Sequence, residues 1–128
     1  MNEVKKLQWL KPVLLIKVIL IFTVWAPAAI APPALLQFFG LQMPSYPLFL
    51  RLFGALQASL GVAYWFAFKD PVRNRDIIKM GIIENGLVAV TLIILAVTAG
   101  VTSWFLQVSV LLTIIFCVLF IILKPEGK

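Results

Sequence analysis

Four long apolar stretches, residues 13–28, 48–68, 77–98 and 104–123, take up most of the 128-residue chain. Stretches of about 20 apolar residues, at about 1.5 Å of helical rise each, cross a hydrocarbon core of about 30 Å. The composition leaves little alternative. The chain is 62% hydrophobic and 12% charged, with mean hydropathy +1.07. A soluble domain is nearer half apolar and a quarter charged. So small a globule could not bury the excess, because its surface is a large share of its volume. The expected fold is all-α: one integral membrane domain, a four-helix bundle spanning residues 1–128.

The cations set the expected orientation. Of eleven Lys and Arg, all but Arg51 fall in three places. Lys5, Lys6, Lys11 and Lys17 lie at or just inside the start of the first stretch. Lys69, Arg73, Arg75 and Lys79 lie between the second and third, and Lys124 and Lys128 follow the fourth. The positive-inside rule then puts both termini in the cytosol. A net charge of +6 so distributed follows topology and anionic head groups rather than nucleic acid. The expected setting is the inner (plasma) membrane of a bacterium.

The connections are read as follows. Residues 1–12 are a basic head with an interfacial turn, and Pro12 serves as the first residue of a helix, where its missing N–H costs nothing. The first stretch also has the layout of a signal peptide, with Ala26-Pro27-Ala28 as a small-residue site. Lys17 and the crowded prolines favour a retained span. Residues 29–46 form an uncharged external loop in which Pro33 and Gly40 bracket a short greasy helix, suited to lie on the membrane or cap the bundle. In the second stretch Gly54, Ala58 and Gly61 share a face, and Ala55, Ser59, Ala63 and Ala67 recur beside it. Small residues let helix backbones approach in lipid, so this helix is expected at the packing centre, with a homodimer as another use of the same faces. Pro71 sets a turn, and Asp76 caps the third helix. The fourth stretch, without Gly or Ala, is expected to be peripheral and lipid-facing. Trp9, Trp25, Trp65 and Trp104 fall near segment ends and read as interfacial anchors.

Charged and polar residues inside the spans are the candidates for function, since such groups are costly in lipid. Glu84 lies about seven residues into its stretch, roughly 10 Å from the inner boundary. Lys17 enters by about 6 Å on the same arithmetic. Depth places Gln57 deeper, Tyr64 shallower and Asn85 alongside, so Lys17, Gln57, Tyr64, Glu84 and Asn85 are candidates for one polar cluster. The alternatives are a Glu84 held by a structural ion pair and a Lys17 that snorkels to the inner surface. Arg51, with Gln107 at a similar outer depth, is a second candidate for a ligand or head-group contact. Its plainer reading is an Arg that snorkels outward and hydrogen-bonds the external loop. The single Cys117 excludes an internal disulfide and is read as packing. With no His in the chain, a catalytic triad, a metal centre and a cofactor are not expected.

Arg51-Leu-Phe-Gly54, then Gly61 and the Asp70-Pro-Val-Arg73 turn, resemble a pattern in small four-span bacterial membrane proteins of the DoxX-like kind. The resemblance covers residues 47–90 and implies the fold more than an activity. No site residue is carried over from it. Three functions compete. The first is an accessory or small-ligand-binding membrane subunit, whose partners are the bilayer, a membrane complex or a second copy, and an unnamed small molecule. The second is a proton-coupled transporter or exporter using Glu84. The third is a membrane-embedded enzyme acting on a lipid or quinone, with Glu84 and Tyr64 as acid–base groups.

Overall fold

The computed structural model describes residues 2–100 and 103–126. Lys128, counted above among the topology cations, lies outside the described residues. The fold is all-helical, with four helices long and apolar enough to cross a membrane, as a multi-pass membrane protein requires. Helix α1 (Glu3–Leu20) runs on through a π-helical turn (Ile21–Trp25) and a 3-10 turn (Ala26–Ala29). Helix α2 (Pro33–Phe38) is short. Helices α3 (Leu48–Lys69), α4 (Arg75–Thr98) and α5 (Trp104–Leu123) complete the bundle.

The long helices form a ring. Helix α1 packs against α3 and α5, and α4 against α5 and α3. Helices α1 and α4 therefore stand on one diagonal, and α3 and α5 on the other. Lys6 lies 3.6 Å from Glu126, which puts the start of α1 and the end of α5 at the same end of the bundle. The α3–α4 turn with its basic residues lies at that end too, by the direction of the helices.

Each helix turns about one residue per turn inward. On α1 these are Leu10, Leu14, Lys17, Val18, Ile21 and Trp25. On α3 they are Gly54, Gln57, Gly61, Tyr64 and Ala67. Helix α4 gives Ile78, Gly81, Asn85 and Ala89, and α5 gives Ser109, Thr113, Phe116, Phe120 and Leu123. The spacings of three and four are those of a helix face. The polarity is arranged for lipid: Lys17, Gln57, Asn85, Ser109 and Thr113 are buried, while large aliphatics and aromatics cover the outside. Polar side chains gain partners inside a bundle that hydrocarbon cannot offer.

Several local expectations are corrected. The expected basic head is part of α1 from Glu3 onward, and Pro12 lies inside that helix. Asn2 caps that helix, its Oδ1 accepting from Lys5 N at 2.9 Å, so the helix is under way long before Pro12. The proline leaves the carbonyl of residue 8 without its helical donor, and Gln8 is exposed, where water or head groups can serve it. Asp76 is not the cap of α4. The helix starts at Arg75 after Asn74, and Asp76 in its first turn pairs with Lys79 at 3.0 Å. Asn74 instead closes α3, donating from Nδ2 to the carbonyls of Phe66 and Asp70.

The helix roles change too. Helix α5 is not peripheral: its Phe116, Phe120 and Leu123 join α1 residues in the core, while α4 is the most lipid-exposed span. The bulk of that core comes from α1 and α5 rather than α3. The expected close approach does occur at one place. A Cβ on Gly54 would run into the backbone of Ala28 and Ala29, so this glycine lets α3 lie directly on the end of the first span. Helix α2 matches the expectation that it caps the bundle. Gly40 ends its turn at φ +72, Phe39 packs on Trp104 and Phe105, and Trp104 Nε1 donates to the Phe38 carbonyl at 3.3 Å.

Candidate functional site

A polar network sits on the bundle axis, reached across the α1–α4 diagonal. Lys17 is 2% exposed. Its Nζ donates to Asn85 Oδ1 at 2.8 Å and lies 3.9 Å from Glu84 Oε2. Three rings surround the ammonium group: Phe116 at 4.9 Å, Trp25 at 5.3 Å and Tyr64 at 5.6 Å from Nζ to centroid. Each face offers a cation–π attraction of about 0.5–2 kcal/mol, toward the upper end where water is absent. Lys17 therefore does not snorkel. It turns inward because five polar and aromatic partners are built there.

The carboxylate is held as firmly. Tyr64 Oη donates to Glu84 Oε2 at 3.0 Å. Asn85 Nδ2 donates to the Gly81 carbonyl at 2.7 Å and more weakly to Tyr64 Oη at 3.5 Å. Gly81 makes this possible, since a Cβ there would stand 2.7 Å from Tyr64 Oη. Charge-assisted bonds of this kind are the strong ones, and a complete network fixes its members in place.

Beside the network lies a cavity of about 180 Å³. Lys17 and Glu84 form its polar end, and Trp25, Phe53, Val88 and Leu92 are among its walls. It runs toward the α2 end of the bundle, where Leu41, Phe105 and Leu106 line it. Gln57, Ser109 and Thr113 also face it. Thr113 is satisfied, its Oγ1 bonding the Ser109 and Val110 carbonyls at 2.9 Å each. The other two are not. The Ser109 hydroxyl is buried without a partner. Gln57, 8% exposed, makes no side-chain hydrogen bond with any described residue.

Of the predicted site residues, Lys17, Tyr64, Glu84 and Asn85 come together as one network. Gln57 does not join its hydrogen bonds but lines the same cavity. Arg51 and Gln107 do not meet: Arg51 Nη1 donates to the carbonyls of Ala28 and Ala31 at 3.2 and 2.8 Å, and Gln107 is exposed. Arg51 thus ties α3 to the loop that follows the first span. Trp25 is corrected from interfacial anchor to inner wall, being 8% exposed. It still lies one turn from the span's outer end at Ala29, but it faces inward, toward the Lys17 ammonium. Ser109, Thr113 and Phe116 were missed. Their signal was present: two hydroxyls four apart in an aliphatic helix mark a face turned away from lipid.

No protein-family model matches the chain, and neither a curated protein nor a solved structure matches it.

Proposed function

We propose that the protein is a small-ligand-binding subunit of a membrane, with the cavity between α1, α3, α4 and α5 as its binding site. The observation that carries this reading is the cavity itself, with a charged pair at one end and, in its wall, a buried Ser109 hydroxyl without a partner and a Gln57 amide that bonds no described residue. Ligand sites combine mostly apolar walls with a few convergent polar groups. The setting is the inner membrane of a bacterium, with both termini cytosolic, supported by the distribution of the cations. The DoxX-like resemblance of residues 47–90 accords with the same four-span class.

Two observations weigh against the competing functions. Glu84 lies on the cavity wall, but its Oε2 is taken by Tyr64 and faces Lys17. A carboxylate already paired with a cation is a poor carrier site for another cation. Tyr64 is fully buried and off the cavity wall, so an enzyme using Glu84 and Tyr64 together would have only Glu84 within reach of its substrate.

Native mass spectrometry and a flux assay test the reading together. The protein released from its own membrane is expected to carry a small-molecule adduct, and Val88→Phe, which fills the cavity, is expected to lose it. Proteoliposomes loaded with a pH-sensitive dye are expected to show no protein-dependent proton flux. Flux in the wild type that disappears in Glu84→Gln would overturn the reading in favour of transport.

A further inference from the structure

We infer that the cavity takes an uncharged lipid-phase molecule with one small hydrogen-bonding head, a hydroxyl or carbonyl, on an apolar body. This deepens the binding reading above and rests on it. The inference starts from the charges. Lys17 and Glu84 face each other at 3.9 Å, so the polar end of the cavity carries no net charge. An anion drawn by Lys17 would lie against Glu84, and a cation drawn by Glu84 would lie against Lys17. Asn85 already takes the ammonium's shortest bond, at 2.8 Å, and three aromatic faces fill the space around it. A charged ligand that broke this arrangement would compensate one member of the pair and leave the other without its partner.

Neutral polar capacity, in contrast, is unspent. Gln57 is 8% exposed and Ser109 4%, and neither side chain has a partner among the described residues. An amide offers two donors and an acceptor, and a hydroxyl a donor and two acceptors. A fully buried hydroxyl without a partner is costly, so Ser109 beside this cavity is unusual unless something else bonds it, and the Gln57 amide is open to the same space. Gln57 meets the cavity directly. The Ser109 hydroxyl is shielded from a water-sized sphere, but rotation about χ1 to another staggered position moves it.

Size and walls complete the description. A cavity of about 150 Å³ with apolar walls holds benzene, and this one is about 180 Å³. It accommodates a single ring or a short chain with its head. Phe53 on α3 and Val88 and Leu92 on α4 line it, and all four long helices carry large apolar residues on their outer surfaces. A molecule dissolved in the bilayer is the natural occupant of such a site.

The test uses full-length protein in nanodiscs and four tritiated probes of one shape: 4-propylphenol, propylbenzene, 4-propylbenzoate and 4-propylbenzylammonium. Binding is the saturable excess over empty nanodiscs. The expected result is one site per chain that holds 4-propylphenol at least about five-fold more tightly than the other three, the range one net hydrogen bond gives. Gln57→Leu is expected to remove that preference for the phenol and leave propylbenzene unchanged. Tightest binding of the benzoate or the ammonium probe, or a phenol preference that survives both Gln57→Leu and Ser109→Ala, would overturn the assignment of ligand class while leaving a binding cavity. Failure of every probe, together with absence of an adduct in the native mass spectrum, would overturn the binding reading as well.

Discussion

The bundle interior has two halves that treat polar groups in opposite ways. Toward the basic end, Lys17, Tyr64, Glu84 and Asn85 are bonded to one another, and the rings of Trp25 and Phe116 close over the ammonium. Toward the α2 end, Gln57 and Ser109 line a cavity, and neither side chain bonds a described residue. Both halves place polar side chains one turn apart on inward faces, so patterning alone does not separate them. Satisfaction does. A network whose members bond one another serves the fold, because it fixes four side chains and joins the diagonal helices. Polar groups left open serve stability poorly and are better explained by what they can meet.

The contrast breaks most visibly at Lys17. Lys17→Met removes the cation and leaves the Glu84 carboxylate and Asn85 Oδ1 buried without it. Breaking a buried pair from one side costs about 3–5 kcal/mol. Unfolding in mixed micelles, followed by circular dichroism against denaturing detergent, is expected to show a loss of that order. Lys17→Met with Glu84→Gln is expected to recover most of it, since no lone charge then remains. A single substitution without effect would mean that the network is not the structural half of the molecule.

A milder cut sharpens the same point. Tyr64→Phe deletes the hydroxyl that donates to Glu84 at 3.0 Å but keeps the ring over Lys17 and its stacking on Phe120. Hydrogen bonds to charged groups contribute about 1.5–3 kcal/mol. The loss in the same unfolding assay is expected in that range and below that of Lys17→Met. Because Tyr64 is not on the cavity wall, probe binding is expected to change little.

Legibility in the sequence divides along the same line. Span ends were readable where composition changes abruptly, and 104–123 coincides with α5 while 48–68 falls within one residue of α3. The first span starts at Glu3, nine residues before the proline that looks like a helix start. The stronger local signal, Asn2 as a cap, came before a basic, weakly apolar turn. Depth arithmetic found the network: a helix rises uniformly, so residues of opposite polarity at equal depth are candidates to meet. Depth says nothing about rotation. Arg51 and Gln107 share a depth yet face different ways, and Arg51 found backbone carbonyls instead. Trp25 and Phe116 could not be assigned to the ammonium because aromatic faces have no polar signature in a sequence. The cavity is a property of four faces at once, and no single helix records it.

The smallest effect tests the comparison from its other side. Gln57→Leu replaces an unpartnered amide, buried to 8% exposure, with an apolar group of similar size. It breaks no side-chain hydrogen bond among the described residues, and it puts an apolar group where a polar amide faces a largely apolar cavity. Unfolding stability is therefore expected to stay level or rise slightly in probe-free nanodiscs, against a large fall for Lys17→Met one network away. With the phenol probe present the order reverses: the wild type gains stability as ligand binds the folded state, and Gln57→Leu gains less. A marked loss of stability in the empty protein would show that Gln57 already has a structural partner, and the two halves would then differ in degree rather than in purpose.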